Sequence, residues 1–383
     1  MKELALKSNE TFVIQLLILL GISKLILIFG LYLYDTKLSI LDEKIYAQYD
    51  AGHYLYIAET GYECFKCFEK FGGNWNKNEW CGNAGWFPGY PFTIKLVNLF
   101  INDFKKSSFL INHLFVIGII LLISRLLDYN HSKSKFLLLL LAVICPGFIY
   151  YYAIFPMAGT LFFILLSIYG YLHKYQKLNL IGLFFATIFY PTGAFLIIPM
   201  AMTIFVTNKY NYRIAFKETL PLFITVVLGL FTTFGIMYYY THHFDAYFLV
   251  SSKYNNHLHL PFKDMWKQFT TLFISNDGKL ATRTVQSVIC MTGVAIIGII
   301  NWKRYKDNKL NTLELLATLY ILAYLLLPWS FAGDISSYRS ESLLLPFVFC
   351  HHQFHKWVIS AMIVVFCVVG ALLSLDFFSG VII

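Results

Sequence analysis

The residues best suited to chemistry lie in one polar, aromatic segment near the start of the chain. Asp50 and His53 stand three residues apart within the segment 49–62, which follows the first long apolar run. On a helix this spacing places both side chains on one face. A carboxylate there can act as a general base, and the histidine can orient it or a substrate. Charge beside a membrane is costly unless water or function maintains it, so Asp50 needs an explanation.

Each acidic or basic candidate in this segment also has a structural interpretation. Asp50 could serve only as the N-cap of a short helix. His53 could be an interfacial histidine bonded to backbone. Glu59 follows nine residues after Asp50 and is a candidate second acid that contacts substrate, or else a solvated surface residue.

The composition sets the class of protein. Of 383 residues, 58% are hydrophobic and only 13% are charged, whereas soluble domains carry about 25% charged residues. A soluble core has no room for this much apolar surface, so we expect an all-α polytopic membrane protein that forms a single domain over 1–383. The net charge of +9 is explained by basic cytoplasmic loops, and no nucleic-acid partner is expected.

The apolar runs predict about eleven transmembrane helices. The first run, 11–34, is too long for the core of a signal peptide and is expected to remain as a helix. The interruption at Pro191-Thr192-Gly193 predicts two short helices or one broken helix over 178–207. The remaining predicted segments are 108–127, 136–152, 155–172, 219–240, 284–301, 311–328, 342–354 and 357–376.

The connecting segments differ in charge and length, which predicts their sidedness. Short basic segments alternate with three long loops that hold most of the acids, at about 35–107, 241–283 and 328–341. Lys and Arg concentrate in cytoplasmic loops, so the N-terminus is expected in the cytoplasm. The long loops, and Asp50 with them, then face the periplasm, the extracellular space or a lumen. The membrane would be a bacterial or archaeal inner membrane, or the endoplasmic reticulum.

The first outer loop is expected to be ordered because it is rich in aromatic residues. A short amphipathic helix is predicted from Asp50 to Tyr62, and an interfacial apolar stretch from Phe92 to Phe100. Three cysteines of this loop could form a disulfide in an oxidising compartment, and the pairing is open. They are Cys64, Cys67 and Cys81.

Two motifs of this loop resemble a known family. Tyr49-Asp50-Ala51-Gly52-His53-Tyr54, followed by Ile57-Ala58 and Gly61-Tyr62, is similar to the Trp-Asp-x-x-(His/Tyr)-(Tyr/Phe)-x-x-Ile-Ala-x-x-Gly-Tyr signature of PIG-V type mannosyltransferases. Trp86-Phe87-Pro88-Gly89-Tyr90-Pro91 resembles the Phe-Phe-Pro-Leu-Tyr-Pro motif that follows it there. Weaker similarities lie at 145–148, 191–193 and 337–346. The chain departs from the family at Tyr49, which replaces Trp, at Tyr190, where Arg is frequent, and near Met157, where an acid is frequent.

The resemblance implies the GT-C glycosyltransferase fold. Such enzymes take a sugar, here expected to be mannose, from a polyprenyl-phosphate donor on the outer face of the membrane. They place a catalytic acid in the first outer loop, and Asp50 occupies that position as the base of an inverting displacement. The expected partners are membrane lipid, the lipid-linked sugar and a glycan, glycolipid or protein acceptor, with a small membrane subunit as a further candidate.

The departing phosphate needs cations or hydrogen-bond donors. Arg339, beside Tyr338 in the third outer loop, is the best candidate because an arginine fork matches phosphate oxygens. Its alternative is an ion pair with Asp334 or Glu341. Lys253 in the second outer loop is a further candidate, or an ordinary loop charge.

Substrate contacts are assigned to Trp86 and Tyr90, although membrane anchoring is an alternative for the tryptophans. No cofactor and no divalent metal are expected, because His242-His243 and His257-x-His259 lack acidic or cysteine partners at ligand spacing. The alternative function is a transporter or flippase for a lipid-linked or small solute. That class would hold charges near the membrane midplane, often within internal repeats.

Overall fold

Helices form most of the described chain, as the apolar runs predict. A computed structural model describes residues 2–73, 76–129, 134–254, 260–274, 278–332, 337–351 and 354–381. The long helices are α1 (Lys2–Tyr34), α5 (Phe104–Tyr129), α11 (Tyr212–Thr241), α14 (Gly278–Lys306), α15 (Thr312–Ala332) and α17 (Lys356–Phe378). Shorter helices are α2 (Ala51–Thr60), α3 (Cys67–Phe71), α4 (Gly89–Ile101), α6 (Lys135–Val143), α7 (Ile149–Tyr152), α8 (Met157–Leu172), α9 (Gln176–Phe189), α10 (Ile197–Thr207), α12 (Ala246–Ser251), α13 (Phe262–Ile274) and α16 (Ser337–Glu341).

Six helices in the described part of the chain are long and apolar enough to cross a membrane. They cover Phe12–Tyr34, Phe104–Asp128, Tyr212–Thr241, Thr282–Lys306, Thr312–Ser330 and Lys356–Phe378. These six agree with predicted segments, so an α-helical membrane protein is confirmed. The count of eleven crossings stays a prediction.

The other predicted segments form shorter or interrupted helices. The segment 136–152 divides into α6 and α7 at Cys145-Pro146-Gly147, and Ser342–Cys350 is a 3-10 helix. The helices α8 and α9 pack against each other as a hairpin. Short helices with prolines at their ends are tolerated where surrounding protein satisfies the freed backbone groups.

The predicted interruption at Pro191 separates two helices. Tyr190 is extended (φ −155°, ψ 143°), and a 3-10 turn over Pro191–Leu196 leads into α10. Gly193 lies against α9 so closely that a Cβ there would meet the carbonyl oxygen of Ala186 at 1.9 Å. Only glycine permits this approach, so the Pro-Thr-Gly sequence itself produces the break.

The first outer loop is ordered by α2, a small hairpin and a disulfide. The predicted helix after Asp50 is α2, and Tyr54, Ile57 and Ala58 form its buried face as expected. Strands β1 (Cys64–Lys66) and β2 (Trp80–Gly82) pair antiparallel, with Phe65 opposite Cys81. A disulfide joins Cys67 to Cys81, whereas Cys64 is free.

The second motif of this loop is packed directly onto the broken helix. Gly89 begins α4, and a Cβ there would meet the ring of Phe189 at 2.4 Å and the carbonyl oxygen of Ile188 at 2.8 Å. The loop also meets the end of α11, where Tyr62 contacts Tyr240 at a ring distance of 6.1 Å. The first outer loop, the tip of α9 and the end of α11 therefore lie at one end of the helix bundle.

Candidate functional site

An ion pair between Asp50 and Arg339 forms the centre of the candidate site. Nη1 of Arg339 donates to Oδ2 of Asp50 across 289 residues of sequence. The side chain of Asp50 is 30% exposed and that of Arg339 is 11% exposed, so the pair is accessible mainly from the carboxylate side. The two residues that sequence reasoning proposed as base and phosphate ligand are in direct contact.

The Asp50 carboxylate is directed away from its own helix. Asp50 occupies the N-cap position of α2 but has helical backbone angles (φ −63°, ψ −10°) and makes no side-chain capping bond. Its carbonyl oxygen accepts from the backbone N–H of His53 at 2.9 Å instead. Capping, which the sequence left open, is therefore not what this side chain does.

Arg339 is held between the carboxylate and an aromatic ring. Its guanidinium carbon lies 5.2 Å from the ring centre of Phe155, which is buried at the turn before α8. Its carbonyl oxygen accepts from Oγ of Ser342 at 2.6 Å. A cation over an aromatic face is attracted to it, so Phe155 helps to fix the guanidinium plane. The alternative pairing of Arg339 with Glu341 is not among the ion pairs of the described residues, and Asp334 lies outside those residues.

His53 joins the two sequence motifs by stacking on Trp86. The ring centres are 3.7 Å apart and the planes differ by 17°. Burial lowers the pKa of His53, the charge of Lys253 lowers it further, and Asp50 opposes both effects. These interactions bring Lys253, from the second outer loop, into the same site. A neutral imidazole has one donor and one acceptor nitrogen.

Tyr62 and Asn83 connect the end of α2 to the segment that carries Trp86, and sequence reasoning missed both roles. Tyr62 donates its hydroxyl to the carbonyl of Trp86 at 2.8 Å. The buried Asn83 side chain accepts from the N–H of Glu63 at 2.7 Å and donates to the carbonyl of Gly61 at 3.1 Å. An amide that bridges chain segments 20 residues apart has no periodic signal in a sequence.

Buried tyrosines pack near the Asp50–Arg339 pair. Tyr54 contacts Tyr90 at a ring distance of 5.5 Å and Phe155 at 6.2 Å. Burial raises the pKa of Tyr54 well above its ordinary value, so its hydroxyl remains protonated. Tyr90 is fully buried, and this placement favours packing over the substrate contact predicted for it. Tyr190, at the break after α9, lies close enough to Asp50 and Arg339 to interact with both charges.

An apolar groove of about 280 Å³ lies deeper in the helix bundle. It runs between α14, the 3-10 helix 342–350 and α17, and its lining includes Cys290, Val294, Ile297, Leu344 and Phe366. Two further lining residues, Val358 and Val365, are 47% and 44% exposed. The groove therefore opens onto the lipid-facing surface of the helices. Positions 290–297 span about 10 Å along a helix axis.

A buried acid lies between this groove and the ion pair. Glu341 is 2% exposed, and its Oε2 accepts from Nε2 of Gln286 at 2.7 Å. Burial raises the pKa of Glu341 to about 7, while hydrogen bonds from Ser287, Gln286 and Cys290 act in the opposite direction. Cys290 also lines the groove. Glu341, two residues after Arg339, therefore interacts with one residue of the groove lining.

The other predicted residues lie at various distances from this centre. Glu59 is on the exposed face of α2, about 13 Å along the helix axis from Asp50, so its predicted substrate contact gains no support. The side chain of Tyr338 lies outside the described residues. The described residues hold no group of three or more His, Cys, Asp or Glu side chains placed for a metal ion. His257 and His259 lie outside them.

Comparisons with known proteins add no assignment. No model of a known protein family matches the chain, and no curated protein matches it at a significant level. The resemblance described above therefore depends on the short motifs around Asp50 and Trp86.

Proposed function

We propose that the chain is an integral-membrane glycosyltransferase of GT-C type. It would move a sugar, expected to be mannose, from a polyprenyl-phosphate donor to a glycan, glycolipid or protein acceptor on the extracytoplasmic face. The observation that supports this best is the contact between Asp50 and the largely buried Arg339. An apolar groove deeper in the helix bundle opens to lipid. A lipid phosphate needs a cation for its head and an apolar surface for its chain. Arg339 would supply the first, and the groove would supply the second.

In this proposal Asp50 is the general base. The acceptor hydroxyl attacks the anomeric carbon and gives its proton to the carboxylate. The bond between the anomeric carbon and the phosphate oxygen breaks, and polyprenyl phosphate leaves with one more negative charge. The recorded hydrogen bond uses Oδ2 of Asp50, so Oδ1 is the oxygen that would take the proton. Attack from the side opposite the phosphate inverts the anomeric carbon.

Arg339 would bind the phosphate without leaving Asp50. A guanidinium carries several N–H donors in a fixed plane, and Nη1 is the one engaged with Asp50. The remaining N–H groups can bind phosphate oxygens, so one arginine would hold both the base and the leaving group. Lys253, which already acts on His53 through its charge, would add a second cation as charge develops on the phosphate.

His53 and Trp86 would position the sugar or the acceptor. The neutral imidazole can accept from one hydroxyl and donate to another. Its stacking on Trp86 fixes the ring plane, so these hydrogen bonds have defined directions. The charge of Asp50 acts on the imidazole, so the carboxylate and His53 belong to one site.

The test is transfer by the purified full chain. Polyprenyl-phosphate mannose would be supplied with a panel of acceptors to the wild type, to Asp50→Asn and to Glu69→Gln, an exposed acid of the same loop. We expect transfer by the wild type and Glu69→Gln, and loss in Asp50→Asn. Full transfer by Asp50→Asn would remove the assigned base.

A second assay, in liposomes, separates the enzyme from a transporter. Liposomes that contain the chain would be loaded with the lipid-linked sugar and assayed for its movement between leaflets. Movement without transfer or release of sugar from any donor would replace the proposal with the transporter function.

A further inference from the structure

A second pocket lies at the opposite end of the bundle, where two helical hairpins turn. It has a volume of about 680 Å³ and lies between the α8–α9 turn, α10 and the first turns of α11. The helix ends there are Leu172, Gln176, Thr207 and Tyr212. This end is the one expected to face the cytoplasm. A volume of this size is typical of ligand pockets.

The polar side of the pocket is cationic. Lys174, Arg213 and Lys217 line it together with one acid, Glu218, which gives a net charge of +2. Glu218 accepts from Nδ2 of Asn208 at 3.1 Å. The ion pairs recorded at this end in the described residues, Lys135–Asp128, Arg304–Glu314 and Lys309–Asp307, do not include the three cations. Lys174, Arg213 and Lys217 are therefore able to bind an anion.

The geometry of α11 fixes where these cations point. Asn211 caps the helix by accepting from the N–H groups of Arg213 and Ile214 at 3.2 and 3.3 Å. Arg213 and Lys217 are four residues apart, so they lie on one face of the helix. Lys174 approaches from the other hairpin. The cations thus come from two separate turns and converge on one cavity.

Apolar surface adjoins the cations on the same turns. Ile204, Pro221 and Leu222 line the pocket. Tyr212 and Phe216 are each 68% exposed on the first turns of α11. Exposed aromatic rings at the end of a membrane-spanning helix are typical of the membrane–water interface. A ligand here meets cations at the helix ends and apolar side chains one turn deeper.

We propose that this pocket binds the phosphate headgroup of an anionic phospholipid. The phosphate lies among Lys174, Arg213 and Lys217, and the acyl chains lie along the exposed apolar face of α11. Basic pockets between membrane helices on the cytoplasmic side are suited to anionic headgroups. The proposal is independent of the glycosyl-transfer site, because it depends on different residues at the other end of the helices.

The experiment measures which lipid the full chain retains. Delipidated protein would be placed in micelles with equal amounts of phosphatidylglycerol and phosphatidylcholine, and bound lipid would be counted by native mass spectrometry. We expect preferential retention of phosphatidylglycerol. Arg213→Gln/Lys217→Gln should weaken that retention about 10- to 30-fold, because each cation near an anionic surface contributes about 1 kcal/mol.

The matched control is Lys303→Gln/Lys306→Gln, which removes the same charge from the end of α14 outside the pocket. It should retain phosphatidylglycerol as the wild type does. Equal retention of both lipids by the wild type, or equal loss in both double variants, would overturn the proposal. Displacement of phosphatidylglycerol by millimolar inorganic phosphate would also overturn it, because the ligand would then be a soluble anion. Variants would be compared only where their elution profiles show folded, monodisperse protein.

Discussion

Asp50→Asn is the substitution that most directly tests the proposed reaction. Asparagine keeps an oxygen that can accept from Nη1 of Arg339, but it loses the negative charge and the ability to take a proton. The change is therefore small in shape and large in chemistry. A base that is lost costs about 10²- to 10⁴-fold in rate, which corresponds to about 3–5 kcal/mol of barrier.

The cost in stability should be smaller than the cost in rate. Arg339 is 11% exposed, so removal of its charged partner leaves a largely buried cation with a neutral acceptor. A penalty of about 1–3 kcal/mol is expected for such a change. Proteins unfold with about 5–15 kcal/mol, so most molecules stay folded. If Asp50→Asn only lowered the free energy of unfolding, without any loss of the base, the rate of transfer would stay close to that of the wild type.

The double variant Asp50→Asn/Arg339→Gln separates a catalytic pair from a structural one. The double variant no longer contains the buried cation that Asp50→Asn leaves without a charged partner. The free energy of unfolding should therefore recover toward the wild-type value. Under the proposed mechanism transfer stays low, because base and phosphate ligand are both absent. Thermal unfolding in detergent and transfer to a fixed acceptor would be measured on the same preparations. Recovery of transfer together with stability would refute the catalytic role.

Three further predictions concern the buried acid, the loop and the groove. The raised pKa of Glu341, about 7 against 4.5, means that stability falls as pH rises from about 4.5 to about 7; Glu341→Gln should abolish that fall and be about 3 kcal/mol more stable than wild type at pH 8 by thermal unfolding. Cys67→Ala/Cys81→Ala removes the disulfide that joins two positions 14 residues apart. It should destabilise the loop by about 3 kcal/mol, seen as faster proteolysis of the loop; unchanged proteolysis would contradict this. A Cβ at Gly293, which lines the groove, or at Gly235 on α11 meets nothing within 4 Å. Gly293→Leu should therefore raise the KM for long-chain donors but not for short-chain ones, while Gly235→Leu leaves both unchanged; an equal rise for both donors would exclude the groove.

Local features of this fold could be predicted from the sequence because they depend on neighbours in the chain. The buried face of α2 follows from the spacing of Tyr54, Ile57 and Ala58. The break before α10 follows from Pro191 and Gly193, whose backbone requirements are local. Six long apolar runs suffice for six membrane-spanning helices. In each case the determining residues lie within one turn or one helix.

The site itself could be predicted only in part, because its contacts join distant segments. Asp50 and Arg339 were identified separately, but 289 residues separate them and no periodicity predicts their contact. The disulfide was one of three pairings until the hairpin placed Cys67 beside Cys81. Asn83 and Phe155 carry no chemical motif, so their supporting roles appear only in three dimensions. A search for polar residues that directly precede the motif 86–91 would have found Asn83.

A partly buried ion pair is a weak device for stability alone. Desolvation offsets much of its Coulombic gain, and packed apolar side chains of similar volume stabilise as well or better. Arg339 is only 11% exposed and lies against the ring of Phe155, so its charge is largely removed from water. Its position is more readily explained by a charged ligand that arrives from the lipid phase. In the proposed function the groove near Glu341 would hold the apolar part of such a ligand, and Lys253 would be a second cation for its charged head. A lipid-linked phosphate would satisfy both requirements, which is why we propose transfer from such a donor.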